Sequence, residues 1–490
     1  MTKPLFNTAE WSFELLERTW EVINKVATKK FGLDYYDPQI EIITSEQMLN
    51  NYSSVAMPIM YSHWSFGKTF VRNDRAYQKG IQGLAYEVVI NTNPCIAYLM
   101  ENNTMTMQTL VMAHALCGHG SFFKHNYLFK KWTDAESIID YLKFARNYIK
   151  DCEYKYGEQE VEELLDACHS LKYNSVDKYK KPPSLKSEIS HQRQKDWNQY
   201  FEQTFNDLWR TLPKKPEAPI SDLEIGNYKF PEENILYFLE KHSPILKPWE
   251  REICRIVRKL AQYFYPQMQT GLMNEGWACF CHHLLMTELH NQGYITDGSY
   301  LEFLASHTNV VAQPNWTRQY FRGINVYALG FAIFQDIKRM CQDPTAEDKY
   351  WCPTICNTDW LSTCIDIMKN YRDESFILQF LSPKVIRDFK LFVLASTEGQ
   401  PYLKVSAIHN DEDVLHIRKV VAAEFDINKK IPRVEITQVD SDRWLYLEHI
   451  SDSILEYNNM KATASYINDL WGYPVKMIYK NLQGEEIDEV

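Results

Sequence analysis

The chain has 490 residues, of which 45% are hydrophobic and 24% are charged, a composition typical of a globular protein with a sizeable core. Its length predicts two or three structural units rather than one small domain. The formal net charge is -11 and the sequence contains no basic stripe or arm, so no nucleic acid is expected as the main partner.

The first residues, MTKPLFNTAEWSFELLERTWEV, are amphipathic and contain acidic side chains, which is not the pattern of a secretion signal. No run approaches the roughly 20 apolar residues that a membrane span requires. The 11 cysteines are scattered along the chain, which favours reduced thiols over a disulfide framework. We therefore expect a cytoplasmic protein with no membrane span.

Apolar residues that recur every three or four positions predict a mainly helical chain up to about residue 390. A strand is expected at YEVVIN, residues 86 to 91. From about 174 to 232 the sequence is polar and rich in proline, which indicates a long crossing segment that carries one helix. The predicted helices cover residues 9–31, 104–118, 134–156, 158–172, 189–211, 248–264, 271–291, 298–307, 326–341 and 359–371.

The last hundred or so residues change to a pattern of short strands and helices. The order is strand 402–408, helix 413–425, strands 433–439 and 443–450, the helix MKATASYINDLWG and the strand PVKMIYK. This β-α-β-β-α-β order is that of ferredoxin-like modules. We therefore predict an α+β protein with a mainly α-helical core domain of residues 1–390 and a C-terminal ferredoxin-like α/β domain of residues 391–490.

The string HALCGHG, residues 114 to 120, carries two histidines inside an apolar run. In metallopeptidases two histidines on one helix bind zinc and a glutamate follows the first, whereas Ala115 stands at that position here. Because His114 and His119 are five residues apart, a regular helix turns the second about 140° from the first. They converge on one ion only if the helix contains an extra residue, a π-bulge, which Gly118 would tolerate. The alternative is a histidine pair packed in the core.

The string MNEGWACFCHH, residues 273 to 283, provides a third candidate ligand. In zinc enzymes whose third ligand is a glutamate on a second helix, an E-G-W-A string supplies that ligand, and its small residues let two helices approach closely. His114, His119 and Glu275 would then form a His2Glu metal site with one open position; ordinary helix packing is the alternative for this string. The side chains expected to orient the ligands are His282, Asn274 or Asn126.

Further candidates lie in CEYKYGEQEVEELLDACH. Because Ala115 removes the usual general base, Glu153 and His169 are predicted as catalytic residues, with Glu153 as the substitute base. Asp166 and His169 have the acid-x-x-His spacing of di-iron carboxylate bundles, so either Glu153 or His169 is also a candidate ligand. A surface or structural pair is the alternative for Asp166 and His169.

Several further strings along the chain are informative together. In chain order, they are HWSFGK, YEVVIN, MAHALCGHGSFFKHN, CEYKYG, LLDACH, YFYPQ, MNEGWA, SHTNVV, YALGFAIFQDIKR, DESFILQFLSP and AIHN. These strings resemble those of one known family, the SpoVR family or stage V sporulation protein R group. The similarity covers nearly the whole chain and is greatest to members from Gram-negative bacteria that do not sporulate.

The resemblance places the family's histidine pair and its EGWA at His114, His119 and Glu275. In spore formers it implies a role in making the spore cortex, a peptidoglycan layer. Elsewhere it implies two partners, a AAA+ serine protein kinase and a von Willebrand A-domain protein, in stress and stationary-phase physiology.

We therefore expect a metalloprotease-like (gluzincin-like) helical domain that binds zinc or another divalent transition metal. The expected reaction is hydrolysis or transfer at an amide of a peptide or cell-wall-related compound. The alternative is a non-catalytic adaptor in the kinase complex, in which the metal is structural or absent. An open coordination position favours the enzyme, and a closed sphere of four ligands favours the adaptor.

Overall fold

The computed structural model describes residues 3–54, 57, 59–79, 86–176, 230–314, 323–396, 403–407, 410–449, 456–480 and 486–489. The helix predicted at 189–211 lies outside these residues. The chain divides into two compact units, of which the first comprises residues 1–166 and 259–432 and the second comprises residues 167–258 and 433–490. The predicted boundary between residues 390 and 391 is a different division and stays a prediction.

The first unit is mainly helical, as the apolar periodicity predicts. Polar side chains begin several of its helices; Thr104 and Thr296, for example, each accept the backbone N–H three residues later. The helices of the first unit, with two that extend into the second, are α1 (Phe13–Lys29), α2 (Ser45–Ser53), α3 (Trp64–Gln78), α4 (Met105–Met112), α5 (Gly120–His125), α6 (Tyr127–Trp132), α7 (Ile138–Tyr156), α8 (Glu158–Ser170), α10 (Pro248–Gln269), α11 (Gly271–Asn291), α12 (Asp297–Val310), α13 (Val326–Gln342), α14 (Ala346–Trp351), α15 (Trp360–Asn370), α16 (Asp373–Phe380), α17 (Pro383–Asp388), α18 (Asp411–Ala423) and α19 (Ile427–Lys430).

A three-stranded sheet also belongs to the first unit and has the order β1-β3-β2. The strands are β1 (Pro38–Ile43), β2 (Glu87–Ile90) and β3 (Cys95–Met100). The central strand β3 is parallel to β1 and antiparallel to β2. The predicted strand YEVVIN therefore forms β2, with the acidic Glu87 as its first residue.

The apolar core of the first unit surrounds α11, most of whose residues are buried. Gly276 of α11 faces Gly330 of α13, where an added Cβ would lie only 2.4 Å from the backbone carbon of Gly330. The first two backbone N–H groups after Gly271, those of Leu272 and Met273, donate to the buried carboxylate of Asp373 at 2.9 and 2.8 Å. This carboxylate satisfies donors that a buried helix end otherwise leaves unpaired.

The second unit contains a four-stranded sheet with the order β6-β7-β8-β9. Strands β7 and β8 are parallel and are connected through a helix, whereas the two outer pairs are antiparallel. The elements of this unit are β6 (Val434–Val439), β7 (Leu445–His449), β8 (Val475–Lys480), β9 (Glu486–Glu489), α9 (Ile235–His242) and α20 (Tyr457–Trp471).

This architecture confirms the predicted α+β class, but the predicted ferredoxin-like topology is wrong. The segment predicted as its first strand is β5 (Leu403–Ala407), which pairs with β4 (Val393–Ser396) in a separate two-stranded sheet. Alternating apolar residues indicate a strand but not its partner. Pairing with the nearest strand in sequence closes only a short loop and therefore has a small entropy cost.

The helix predicted to stop before Pro266 instead continues through it to Gln269. Proline removes one hydrogen-bond donor from a helix, and here that loss falls within the last turn. Among the described residues, no helix combines the length and the apolar character that crossing a membrane requires.

Candidate metal centre

Between α4 and α5 the chain forms a π-helical segment, Ala113–His119, that is buried throughout. The wider turn supplies the extra residue that the five-residue spacing of the histidines requires. The rings of His114 and His119 lie 4.7 Å apart and perpendicular to each other. The structure therefore places both imidazoles on the same side of this segment.

The π-helical segment packs closely against α11 because small residues meet at the contact. A Cβ added to Gly118 would lie 2.6 Å from the Cα of Ala278, so only glycine fits at this position. The E-G-W-A string of α11 supplies Ala278 and, one turn earlier, Glu275. The close approach brings Glu275 to the two histidines.

Three candidate ligand atoms, one each from His114, His119 and Glu275, lie within 4.8 Å of one another. Oε2 of Glu275 is 3.5 Å from Nε2 of His119 and 3.8 Å from Nε2 of His114. These separations are longer than ordinary hydrogen bonds. Two ligands at about 2.0–2.1 Å from a tetrahedral zinc ion lie about 3.3 Å apart, so the distances from Oε2 of Glu275 to the two nitrogens are close to those of ligands that share one ion.

Oε2 of Glu275 is buried and has no hydrogen-bond partner among the described residues. A buried carboxylate oxygen without a partner is costly, and an ion or water at the site would remove this cost. The residues present thus fit a divalent metal. That His114, His119 and Glu275 bind one stays a prediction.

A second carboxylate, Glu87 on β2, faces the same histidine. Its Oε1 is 3.6 Å from Nε2 of His114. Glu87 was not among the predicted site residues, because it lies far along the chain from one helical string and outside both. The signal that indicates it is the acidic side chain at the start of an otherwise apolar strand, EVVI.

The electrostatics of the group favour a positive charge between the two carboxylates. Burial raises the pKa of Glu87; the charge of His114 opposes this effect and the negative charge of Glu275 adds to it. For His114 burial opposes the charged form, but contacts with Cys279 and Glu275 and the charge of Glu87 outweigh it, so its pKa is raised well above the usual value. A divalent ion would replace this proton, since metal binding requires a neutral imidazole.

The remaining ring nitrogens of the two histidines contact polar side chains. Nδ1 of His119 is 3.0 Å from Oδ1 of Asn274, and Nδ1 of His114 is 2.9 Å from Nδ1 of His282. Both partners were among the residues expected to orient the ligands.

The third residue expected to orient the ligands, Asn126, instead donates to the backbone carbonyls of Met368 and Tyr371. That expectation is wrong because the Asn126 side chain begins helix α6 and joins it to the end of α15.

Glu153 lies in α7, where burial and the charges of Glu158 and Glu162 raise its pKa. Among the described residues, no hydrogen bond or ion pair joins Glu153 to the candidate ligands, and its catalytic role stays a prediction. His169 lies in the second unit, and its catalytic role likewise stays a prediction.

Asp166 accepts a hydrogen bond from the Trp64 indole at 2.8 Å and lies 3.1 Å from Nε2 of His63. These contacts favour the structural alternative for this acid.

The model of the family described as SpoVR like protein matches residues 10–430, and that of the SpoVR-like C-terminal domain matches residues 432–481. The chain is 51% identical over 487 residues to the Uncharacterized protein YcgB of Escherichia coli (strain K12), covering 99% of this chain and 95% of that protein. No solved structure matches the chain. Since the two family models together span most of the sequence, the chain belongs to the SpoVR family.

Proposed function

We propose that this SpoVR-family chain is a metal-dependent enzyme that hydrolyses or transfers an amide bond in a peptide or cell-wall-related compound. The observation that carries the proposal is that candidate ligand atoms of His114, His119 and Glu275 lie close together. One of these residues, Glu275, has a buried oxygen, Oε2, with no hydrogen-bond partner among the described residues. This His2Glu set is the one used by catalytic zinc sites of the gluzincin type. Zinc is the proposed metal, with another divalent transition metal as the alternative.

When bound, the ion would polarise the carbonyl of the substrate and lower the pKa of a water molecule. His114 and His119 would hold it through Nε2 and Glu275 through Oε2. Glu87 would accept the proton of the attacking water at Oε1, which is the part that the absent glutamate at position 115 plays in HExxH enzymes. Glu153 and His169 are the sequence-based candidates for this step, and the position of Glu87 favours it over them.

The setting of the reaction is proposed from the family resemblance alone. We infer a cytoplasmic role in stress, stationary-phase or sporulation physiology, together with a AAA+ serine protein kinase and a von Willebrand A-domain protein. A peptidoglycan-related amide is the substrate class that agrees with the family's link to the spore cortex.

One observation favours a second function, that of a non-catalytic adaptor with a structural metal. Glu87 lies near enough to His114 to become a fourth protein ligand, and a closed sphere of four ligands leaves no position for water. Ala115 agrees with this alternative because it removes the usual base.

Elemental analysis of the purified protein tests the metal site. We expect about one equivalent of zinc, iron or manganese in the wild type, and its loss in His119→Ala and in Glu275→Ala. His416→Ala, which removes an exposed histidine on α18, is the matched control and should keep the metal. A wild type that binds no metal after reconstitution contradicts the proposal.

The Glu87→Gln variant separates the enzyme from the adaptor. If Glu87 accepts a proton, the variant keeps its metal, and turnover of an amide substrate found by screening falls on the order of 10²- to 10⁴-fold. If Glu87 is the fourth ligand, the variant loses metal affinity and the wild type turns over no amide.

A further inference from the structure

Two more histidines continue from His114 into the interior of the first unit. Nδ1 of His114 is 2.9 Å from Nδ1 of His282, and Nε2 of His282 is 2.7 Å from Nδ1 of His307. All three residues are buried, with exposed fractions of 4%, 2% and 6%. They form a hydrogen-bonded series of imidazoles that begins at the candidate metal ligand and leads away from it.

The series also contains the atoms of a second group that could hold an ion, formed by His114, His282 and Cys279. The distances separate the two possibilities. The 2.9 Å between the Nδ1 atoms of His114 and His282 is a hydrogen-bond length, shorter than the roughly 3.3 Å between two ligands of a tetrahedral zinc ion. At Nε2 of His114 the carboxylates are 3.6 and 3.8 Å away, which leaves room for an ion.

A hydrogen bond between two imidazole nitrogens contains one proton, and a neutral imidazole carries one proton in all. If Nε2 of His114 binds a metal, its proton is on Nδ1 and is donated to Nδ1 of His282. His282 then carries its own proton on Nε2 and donates it to Nδ1 of His307. If the order of protons were reversed, the proton of His114 would be on Nε2 and would block the metal.

We propose that His282, supported by His307, is a positioning residue that holds His114 in the tautomer that binds the metal. The inference rests on the proposed function, because it assigns a partner to one ligand of the same site. The two contacts of the series, at 2.9 and 2.7 Å, are of hydrogen-bond length, so the neutral rings of His282 and His307 can each accept a hydrogen bond at Nδ1. Partners of this kind typically change metal affinity by 10- to 100-fold when they are removed.

Zinc affinity, measured by competition with a chelating dye, tests the proposal. We expect His282→Leu to bind zinc 10- to 100-fold more weakly than the wild type, and His307→Leu to show a smaller loss in the same direction. His282→Gln should recover part of the affinity, because its amide oxygen can accept the proton of His114. Cys279→Ser should bind zinc within threefold of the wild type.

His283→Leu is the matched control, since His283 is the next residue on α11 and its ring packs against His307 and Phe331. It should bind zinc as the wild type does. A second measurement does not depend on any variant: in zinc-loaded wild type labelled with ¹⁵N-histidine, Nδ1 of His114 should be the protonated nitrogen.

The outcomes separate this inference from the proposed function. Wild-type affinity in His282→Leu, or a protonated Nε2 on His114, overturns the inference and leaves the metal site intact. A zinc ion that survives Glu275→Ala but is lost in both Cys279→Ser and His282→Leu places the ion in the second group and overturns both. A wild type that binds neither zinc nor iron nor manganese also overturns both.

Discussion

Two groups of buried charged side chains in the first unit differ in how completely they are paired. In the first group Arg339 donates to Asp336 at 2.7 Å and to both oxygens of Asp348 at 2.7 and 2.8 Å. Ser382 donates a further hydrogen bond to Asp336, and the backbone N–H of Thr345 donates one to Asp348. Each carboxylate oxygen of this network therefore has a hydrogen-bond donor.

The second group is the candidate metal centre, where the charges face one another without short hydrogen bonds. Glu87 and Glu275 lie 3.6 and 3.8 Å from the same nitrogen of His114, and Oε2 of Glu275 has no hydrogen-bond partner among the described residues. Buried charges in this unit therefore differ in their pairing. The first group has its hydrogen-bond partners within the protein, whereas we propose that the second binds a metal ion.

The largest loss of stability is expected when Arg339 is removed from its network with Asp336 and Asp348. Arg339→Met leaves the buried carboxylates of Asp336 and Asp348 uncompensated, which should lower the free energy of unfolding by about 3–5 kcal/mol in urea titrations. Arg387→Met removes an exposed arginine from its pair with Glu347 and should cost at most about 1 kcal/mol. Similar losses in the two variants would show that the buried carboxylates do not depend on Arg339 for their pairing.

The next largest change in the free energy of unfolding is expected when zinc binds at the candidate metal centre. Zinc at a free concentration about 100 times its dissociation constant should raise the free energy of unfolding by about 2.7 kcal/mol, since the unfolded chain lacks the assembled site. Thermal melts with zinc and with a chelator measure this difference. An equal shift in His119→Ala would show that the zinc binds elsewhere.

A smaller effect is expected from acid at the paired network. Burial by itself would raise the pKa of Asp348, but hydrogen bonds from Arg339 and Thr345 outweigh it and lower the pKa from 3.8 to about 2. The folded state therefore favours the ionised form. The stability that this adds is present above about pH 4 and is lost as the pH falls from about 4 to about 2.

A pKa difference of this size corresponds to about 2 kcal/mol. The measurement is the free energy of unfolding of the wild type and of Asp348→Asn at several values between pH 5 and pH 2.5. The advantage of the wild type over the variant should shrink as the pH falls. A constant difference across this range would contradict the assignment.

The smallest change in stability is expected when the carboxylate of Glu87 in the candidate metal centre is neutralised. Glu87→Gln keeps the size of the side chain and removes its repulsion from Glu275, so the metal-free free energy of unfolding should change by less than about 1 kcal/mol. Urea titration in the presence of a chelator measures it. A loss as large as that of Asp348→Asn would show that Glu87 is a structural partner of His114.

Much of the helical fold was predictable from the sequence, because an amphipathic helix records its own buried face. The predicted helix 271–291 is observed as α11, Gly271–Asn291, and the predicted helix 326–341 as α13, Val326–Gln342. Strand pairing was less predictable, since β5 carries no signal that distinguishes β4 from the sheet of the second unit as its partner. The wrong ferredoxin-like topology follows from this difference.

The candidate site was predictable in proportion to how local its signals are. The five-residue spacing of His114 and His119 requires a π-helical turn for convergence, and the structure contains one at Ala113–His119. The proximity of Glu87 to His114 was not predictable in the same way, because it depends on where β2 lies relative to the histidines.

Composition, periodicity and short strings of residues were enough to predict the family, the α+β class, many of the helices and the three candidate ligands. The folded chain was needed to show that Glu87 faces His114, that His282 and His307 continue from it, and that Asn126 makes another contact. Such relations join residues far apart in the chain. They arise from helix and strand packing, which no local pattern of residues encodes.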